Sequence, residues 1–347
     1  MAISVVIIDD SSTVRSILTR VLSAAPDIEV VGAAPDPFVG RDLIVKLQPD
    51  VVLLDLEMPR MDGLTFLRKL MQYRPMPVII VSSLTLTDSA LMLEALRSGA
   101  VDVVSKPNGS ESVDGIATEL ISRIRLAAAV TMGRGAVGSS PLSVVEGGRV
   151  PHRMVAIGAS TGGTLALERV LTSLPKTAPA ILIVQHMPGG FTGAFAARLN
   201  ELCEIEVKEA AHGDRVVHGR ALIAPGSSHM RLHRSGTLQT VALSDEPPVN
   251  RHRPAVDVLF DSVAERVGRG AVGVLLTGMG EDGARGLLKM RQAGATTIAQ
   301  DEESCVVYGM PRAAVERGAA EHVLPLNRVA AAIMSHATRT AAQPVAS

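Results

Sequence analysis

Ser160, His186 and Asp282 are the side chains in this sequence that could carry out covalent catalysis. A serine hydroxyl becomes a nucleophile when a histidine takes its proton, and a carboxylate can orient that histidine. Ser160 lies in GASTGG, His186 ends the apolar run ILIVQH, and Asp282 lies in the loop GMGEDGARG. Main-chain N–H groups of that glycine-rich loop could approach a developing oxyanion, which makes Met279 and Gly280 the candidate oxyanion region. The set predicts a serine hydrolase.

Each member of this set also has a plainer explanation. A glycine-rich strand-to-helix turn can cradle a phosphate, a histidine at a strand end is often structural, and Asp282 could cap a helix that begins near Gly283. A non-enzymatic phosphate- or nucleotide-binding module is therefore the alternative. The segment around Ser160 satisfies GxSxG, but the chain order Ser, His, Asp differs from the Ser, Asp, His order of the α/β-hydrolase fold. We therefore do not assign the chain to that fold.

A second group of polar side chains lies at the ends of predicted strands in the first third of the chain. Asp9 and Asp10 follow the first predicted strand, Asp55 follows the third, Ser82 ends the fourth, and Lys106 follows the fifth. Ligands of open α/β sheets bind at the carboxyl ends of the strands. Three carboxylates there need a cation such as Mg²⁺, and a hydroxyl and an ammonium could hold a phosphoryl group on one of them. The alternative is that DDSS only caps the next helix.

Both groups depend on strands that alternate with amphipathic helices, which is the pattern of an α/β fold with parallel sheets. In residues 1–125 the predicted strands are 4–8, 29–33, 51–54, 78–81 and 101–104. From residue 153 onward they are 154–158, 181–185, 220–224 and 272–277, and residues 229–243 predict a β-hairpin around Ser235-Gly236. We expect a doubly wound, mainly parallel sheet with that hairpin in the second half of the chain.

The chain length and composition predict two globular domains. With 347 residues, of which 47% are hydrophobic and 20% charged, the chain can bury two cores. We expect domains at 1–125 and 152–340, joined by a glycine- and serine-rich linker at 126–151. A net charge of -1 and 2% aromatic residues argue against nucleic-acid binding. No apolar run reaches the roughly 18 residues of a membrane span, so we expect a cytoplasmic protein without membrane insertion.

Residues 3 to about 122 resemble the receiver domain of two-component response regulators, on the evidence of DDSS, LLDLEMPRMDG and SKP. The resemblance implies a domain with a flavodoxin-like (βα)5 fold. It also implies that a chemotaxis histidine kinase phosphorylates this domain and that the transfer requires Mg²⁺. The site residues that the resemblance implies are the phosphoacceptor Asp55, the Mg²⁺ ligands Asp10, Asp55 and the main-chain carbonyl of Glu57, the indirect ligand Asp9, and the switch residues Ser82 and Lys106.

Six blocks in the second half resemble the effector domain of the CheB family of chemotaxis protein-glutamate methylesterases. They are GASTGG, QHMPGGFTGAFAARL, APGSSHM, RPAVDVLF, LLTGMGEDGARGLL and QDEESCVVYGMPRAA, and the resemblance covers residues 153 to about 338. It implies Ser160 as the nucleophile, His186 as the general base and Asp282 as the orienting carboxylate. One departure is Ala255, where the family commonly has serine; this position lies outside the implied triad.

The two resemblances together imply a phosphorylation-activated serine hydrolase of chemotactic adaptation. Its substrates would be glutamate γ-methyl esters on methyl-accepting chemotaxis receptors, with release of methanol, and receptor glutamines that it deamidates. Mg²⁺ would serve receiver phosphorylation, whereas ester hydrolysis would need no cofactor. We expect a monomer. A DNA-binding response regulator is a third possibility, but the second domain shows neither a recognition helix nor a basic face.

Overall fold

The computed structural model describes residues 2–82, 88–106, 120–121, 123–125, 127–128 and 154–338. These residues form two compact units, one within residues 1–136 and the other within 137–347. The predicted linker at 126–151 lies outside the described residues except for 127–128, so its bounds stay a prediction. In the described part of the chain, no helix is both long enough and apolar enough to span a membrane.

The first unit contains a five-stranded parallel sheet in the order β2-β1-β3-β4-β5. Its strands are β1 (Ile3–Ile8), β2 (Ile28–Ala34), β3 (Val51–Leu54), β4 (Val78–Ser82) and β5 (Asp102–Ser105). Its described helices include α1 (Ser12–Leu22), α2 (Pro37–Leu47), α3 (Gly63–Tyr73) and α4 (Asp88–Arg97). All five predicted strands are present, and none of their ends differs from the prediction by more than one residue.

The order of this sheet reverses at β1 and β3. The chain passes from β1 to β2 on one side and then returns to β3 on the other side of β1. Loops diverge at such a reversal and leave a crevice at the carboxyl ends of the strands. Asp9 follows β1, and Asp55 follows β3, where its main-chain N–H donates to the Ile8 carbonyl at 2.9 Å. The fold therefore brings both aspartates to this crevice.

Helix α1 is capped by a serine. Ser11 Oγ accepts a hydrogen bond from the Val14 N–H at 3.4 Å, whereas Asp9 Oδ1 accepts one from the Ser11 N–H at 2.8 Å. A serine hydroxyl is a preferred N-cap acceptor. The explanation of DDSS as a helix cap therefore applies to its serine, and the two aspartates before it lie at the sheet edge.

The second unit contains a seven-stranded parallel sheet in the order β14-β13-β12-β6-β7-β9-β8, and a separate hairpin of β10 and β11. The strands are β6 (Met154–Ala159), β7 (Ala180–Gln185), β8 (Glu206–Glu209), β9 (Arg220–Ile223), β10 (His229–Ser235), β11 (Leu238–Ser244), β12 (Ala271–Leu275), β13 (Thr296–Gln300) and β14 (His322–Leu324). The helices are α5 (Gly163–Thr172), α6 (Phe191–Leu202), α7 (Val256–Arg266), α8 (Ala284–Gln292), α9 (Met310–Glu316) and α10 (Leu326–Thr338). The predicted α/β class, with parallel sheets and a hairpin, is confirmed, although β8, β13 and β14 were not predicted.

Strands β6, β7 and β12 lie side by side in this sheet, and every residue of all three is buried. Continuous apolar runs of this kind are typical of parallel strands that are covered on both faces. Because β6 lies between β7 and β12, the sheet order reverses here as well. Ser160 directly follows β6, His186 directly follows β7, and Asp282 lies in the loop beyond β12.

The hairpin turn lies one residue later than predicted. Ser235 pairs with Leu238, which leaves Gly236 and Thr237 as the two loop residues, and Gly236 has a φ of 61°. The prediction of Ser235-Gly236 as the turn is therefore wrong by one residue. The physical reason is that a two-residue hairpin loop requires positive φ at its first position, and the glycine adopts it most readily.

Candidate active site and phosphorylation site

Ser160 lies at the tight turn between β6 and α5. Its N–H donates to the Thr277 carbonyl at 3.0 Å, and its own carbonyl accepts from the Gly163 N–H at 2.7 Å. A Cβ atom at Gly163 would lie 2.2 Å from Gln185 Oε1, so only glycine fits at this close approach. The serine is 8% exposed. The strand-turn-helix context that the GxSxG pattern requires is thus present.

Gln185, the last residue of β7, connects the nucleophile turn to the histidine. Its buried amide nitrogen donates to the Ser160 carbonyl at 2.9 Å and to the His186 carbonyl at 3.0 Å. The His186 N–H in turn donates to the Ala159 carbonyl at 3.0 Å. These bonds hold the main chains of the serine and histidine side by side. Sequence reasoning missed Gln185, although a polar residue at the end of the buried run AILIVQ was a usable signal.

His186 and Asp282 form a buried pair. His186 Nε2 lies 2.9 Å from Asp282 Oδ2, and the two side chains are 5% and 1% exposed. Among the described residues, the buried Nδ1 atom of His186 has no hydrogen-bond partner. A neutral imidazole that donates from Nε2 keeps its lone pair on Nδ1. The nitrogen available to act as a base is therefore Nδ1.

Asp282 accepts hydrogen bonds from the beginning of helix α7. Its carboxylate accepts from the Val256 N–H at 2.7 Å, the Asp257 N–H at 3.2 Å and the Asn250 side chain at 2.7 Å. Burial alone raises the pKa of Asp282, but the His186 contact and these donors outweigh it and lower the pKa to about 2. The carboxylate is therefore a fixed negative charge beside the histidine.

Asp282 does cap a helix, but not the one expected from the sequence. Helix α8 has Gly283 as its N-cap and no side-chain cap bond. The helix that Asp282 caps is α7, whose own N-cap residue, Ala255, has no side chain that could accept. A carboxylate at a helix N-terminus is stabilised by the free N–H groups and by the helix dipole. The capping alternative is therefore compatible with the orienting role.

Asn250 is a further side chain at this site that was not predicted. Its amide nitrogen donates to Asp282 Oδ1 at 2.7 Å and to Asp257 Oδ2 at 2.9 Å, so it separates two buried carboxylates. Asp257 also accepts from the Gly286 N–H at 2.7 Å. The pKa of the Asp257 carboxyl is raised, and burial is the main cause of this shift. No sequence motif pointed to Asn250, because its partners lie 7 and 32 residues away.

The loop after β12 passes directly over the nucleophile. A Cβ atom at Gly278 would lie 2.7 Å from Ser160 Cβ, so the main chain approaches the serine more closely than any side chain would allow. Gly280 is exposed, with a φ of 74° and open space beside it. The next N–H groups along the loop are those of Met279 and Gly280. Only Gly278 is shown in contact with Ser160, so the role of the two residues after it as the oxyanion region stays a prediction.

The acidic group of the first unit converges as predicted. Ligand oxygens of Asp9, Asp10 and Asp55 lie within 4.8 Å of one another, which fits a hard cation such as Mg²⁺. Lys106 Nζ lies 2.9 Å from Asp9 Oδ2 and 2.7 Å from Asp55 Oδ2. Burial raises the pKa of Asp55 to about 6, since the Lys106 ammonium lowers it only in part and the Asp9 charge raises it further. The Lys106 pKa is raised, because its two carboxylate contacts outweigh burial.

Ser82 and Glu57 lie beside this cluster. Ser82 is fully buried at the end of β4, and its carbonyl accepts from the Lys106 N–H at 2.8 Å. The Glu57 N–H donates to Asp55 Oδ1 at 3.3 Å. All of the predicted receiver residues therefore lie at one edge of the sheet, while the individual metal and switch roles stay predictions.

Comparison with known families assigns both units to a class. Residues 5–116 match the response regulator receiver domain, so the chain is a response regulator with a C-terminal effector domain. Residues 155–333 match the CheB methylesterase domain. The chain belongs to the CheB methylesterase family.

Individual relatives cover nearly the whole chain. It is 53% identical to protein-glutamate methylesterase/protein-glutamine glutaminase 4 of Anaeromyxobacter dehalogenans, over 96% of this chain and 94% of the relative. It is 51% identical to protein-glutamate methylesterase/protein-glutamine glutaminase 2 of Pseudomonas aeruginosa, over 98% of each chain. Among solved structures, the Thermotoga maritima CheB methylesterase catalytic domain matches with 41% identity and a TM-score of 0.52, over 54% of this chain and 99% of that one.

Proposed function

We propose that this protein is a phosphorylation-activated serine hydrolase that demethylates glutamate γ-methyl esters on chemoreceptors and deamidates receptor glutamines. The names of its relatives supply both substrate classes. The observation that carries the proposal is the buried His186–Asp282 pair at 2.9 Å, because the His186 N–H also bonds to the carbonyl of Ala159, the residue before Ser160. A binding cradle for phosphate has no use for an oriented base of this kind.

In the first half of the reaction, Ser160 Oγ attacks the ester carbonyl carbon and His186 Nδ1 takes the hydroxyl proton. The oxyanion forms beside the main-chain N–H groups of Met279 and Gly280. Asp282 stays ionised and stabilises the imidazolium through Nε2. When the carbon–oxygen bond of the leaving group breaks, the proton passes from His186 to the departing oxygen as methanol, or to nitrogen as ammonia when the substrate is glutamine.

In the second half, water hydrolyses the acyl-enzyme. His186 takes a proton from the attacking water and returns it to Ser160 Oγ as the acyl bond breaks. The products are a glutamate side chain on the receptor and the free enzyme. Water is the only reactant besides the substrate, and it supplies the oxygen of the new carboxylate.

The receiver unit would regulate this activity by accepting a phosphoryl group on Asp55 from a histidine kinase. Asp10, Asp55 and the Glu57 main-chain carbonyl would hold Mg²⁺, with Asp9 acting indirectly, and the ion would neutralise charge during the transfer. Lys106 would bind a phosphoryl oxygen, which its Nζ supports by lying 2.7 Å from Asp55 Oδ2. Ser82 supplies the hydroxyl for a second one. Phosphorylation then shifts the protein toward its active state.

The direct test is methanol release from methylated chemoreceptor by the wild type, Ser160→Ala and Asp55→Asn, each with and without a small-molecule phosphodonor plus Mg²⁺. We expect Ser160→Ala to lose about six orders of magnitude in kcat, because triad members act as a unit. Asp55→Asn should keep basal release and lose the stimulation. A serine-directed fluorophosphonate that labels the wild type but not Ser160→Ala reports the hydrolase independently of the receptor supplied.

The outcomes separate the two halves of the proposal. Turnover in Ser160→Ala would exclude this serine as the nucleophile, and full stimulation of Asp55→Asn would exclude Asp55 as the switch. Labelling of the wild type without release of methanol would keep the hydrolase and reject this substrate. Absence of both labelling and release would favour the phosphate- or nucleotide-binding module instead.

A further inference from the structure

A second imidazole group lies against the proposed general base. The ring of His252 stacks on the ring of His186, with 3.8 Å between the centroids and 13° between the planes. His252 belongs to neither the triad nor the candidate oxyanion region. We propose that His252 is a positioning residue of the hydrolase site: it holds the plane of the His186 ring so that Nδ1 faces Ser160.

The His186 ring needs a second restraint. The hydrogen bond from Nε2 to Asp282 fixes one point on the edge of the ring. A single edge contact leaves the ring able to tilt about that bond, and a tilt would displace Nδ1, the nitrogen proposed to take the Ser160 proton. A flat partner at 3.8 Å against the face blocks this tilt in one direction. Misplacement of a catalytic group by about 1 Å can cost roughly 100-fold in rate.

The chain holds His252 itself in a rigid tight turn. Val249 and His252 exchange main-chain hydrogen bonds of 3.0 and 2.9 Å, and the two residues between them, Asn250 and Arg251, have φ values of 52° and 67°. Two consecutive positive φ values are typical of a type I′ turn, where asparagine is tolerated but arginine is strained. Strained backbone persists where the surroundings determine it, often at functional sites. The turn is therefore held in place by its contacts.

Contacts on both sides of this turn support that conclusion. Asn250 is bound to Asp282 and Asp257 through its amide. Beyond the turn, the buried ring of His229 accepts from the Ala255 N–H at 3.2 Å and donates from Nε2 to the Pro247 carbonyl at 3.1 Å. One turn thus presents the amide that fixes the orienting carboxylate and the ring that fixes the base.

The stack also has an electrostatic consequence. When His186 takes the proton of Ser160, its ring becomes a cation, and we take His252 as neutral, so that its face attracts this cation. The attraction is absent before proton transfer and present in the transition state, so it lowers the barrier and raises kcat. An aromatic residue without hydrogen-bonding groups can provide both the flat contact and this attraction, whereas a polar residue without a ring cannot.

The test compares His252→Phe, His252→Gln and His252→Ala in the full-length protein, with His233→Ala as a control on an exposed histidine of the hairpin. Two measurements are made with phosphodonor and Mg²⁺ present: the rate of Ser160 labelling by a fluorophosphonate, and kcat and KM for methylated receptor. We expect His252→Gln and His252→Ala to lose about 10- to 100-fold in labelling rate and in kcat, with KM within about twofold. His252→Phe should restore both rates to within about threefold, and His233→Ala should match the wild type.

Other results would overturn the proposal. Activity in His252→Gln but not in His252→Phe would show that a hydrogen bond, not the ring, matters. A raised KM at unchanged kcat would make His252 a substrate contact, and wild-type rates in all variants would leave it without a role. This inference rests on the proposed hydrolase, so absence of wild-type labelling would reject both, whereas wild-type labelling that is unchanged in every His252 variant would reject only the role of His252. If His252→Ala fails to fold, the Phe and Gln pair still decides.

Discussion

Each unit has a buried aspartate beyond the end of a parallel strand, and the pKa values of the two carboxyl groups are shifted in opposite directions. Asp55 and Asp282 are 1% and 2% exposed, and each lies beyond a buried strand where the strand order reverses. Burial raises the pKa of Asp55 to about 6, whereas the pKa of Asp282 is lowered to about 2 in spite of burial. Equal burial therefore gives opposite results.

The difference lies in the donors that surround each group. Asp55 shares the Lys106 ammonium with Asp9 and accepts a bond of 3.3 Å from the Glu57 N–H. Asp282 accepts from two main-chain N–H groups, one amide and one imidazole. Hydrogen bonds to the charged form lower the pKa of a carboxylate, and a like charge nearby raises it. A phosphoacceptor must remain reactive toward a new group, while an orienting carboxylate must remain a constant charge.

Of the changes to these two aspartates and their donors, the loss of charge at Asp282 is expected to have the largest effect. The amide of Asp282→Asn would place an N–H group against hydrogen-bond donors of the site. It would also favour the His186 tautomer that carries its proton on Nδ1 instead of Nε2. We expect kcat to fall about 10⁴-fold with the protein still folded, measured by methanol release and by fluorophosphonate labelling. Asp257→Asn is the matched control, because Asp257 is a buried carboxylate on the same Asn250 amide that does not touch His186. Equal losses in both variants would contradict the orienting role.

The opposite pKa shifts also predict opposite dependence of stability on pH. The folded pKa of Asp55, about 6, lies above its ordinary value of 3.8, so its contribution is present below about pH 4 and is lost as pH rises through 6. The folded pKa of Asp282, about 2, lies below 3.8, so its contribution is present above about pH 4 and is lost as pH falls through 2. These two carboxylates should therefore contribute to stability with opposite dependence on pH.

Asp55→Asn isolates the first of these contributions. In the absence of Mg²⁺, we expect it to raise the free energy of unfolding of the receiver at pH 7 by on the order of 2–3 kcal/mol, and to change it little at pH 4. Denaturant unfolding at both pH values measures this. Mg²⁺ should stabilise the wild type more than the variant. If the substitution raised the free energy of unfolding as much at pH 4 as at pH 7, the charge of Asp55 would not be what destabilises the receiver.

The residues with local signals were predictable from the sequence. Continuous β-branched runs located the strands, and a polar residue at the end of each run located Asp9, Asp55, Ser160 and His186. A parallel sheet gathers the ends of its strands at one edge, so these side chains converge without further information. The acidic cluster and the nucleophile turn therefore required only the strand pattern.

The supporting residues had no such signal. Asn250 and His252 act through partners far along the chain, and their turn contains Asn-Arg at positive φ where a glycine would have marked it. The alternative role of Asp282 was to cap the helix that follows it, but it caps α7, which precedes it in sequence. Tertiary contacts determine the positions and partners of these residues, so composition and periodicity could not predict them.

A smaller effect is expected when Asp282 loses one donor and so comes closer to the condition of Asp55. Asn250→Gly removes the amide and still permits the φ of 52°. We expect kcat to fall about 10-fold and the free energy of unfolding to fall by about 1–3 kcal/mol, because two buried carboxylates lose a shared donor. The pKa of Asp282 should then rise, so the loss of stability in acid should begin at a higher pH than in the wild type.

Asn250→Ala should be less stable than Asn250→Gly by about 1 kcal/mol, since alanine strains this backbone. Asn250→Gly could instead keep the wild-type kcat and lose stability at the same acid pH as the wild type. The main-chain N–H groups of α7 would then be sufficient to keep Asp282 ionised. The difference from Asp55 would be due to helix α7 rather than to the number of donors.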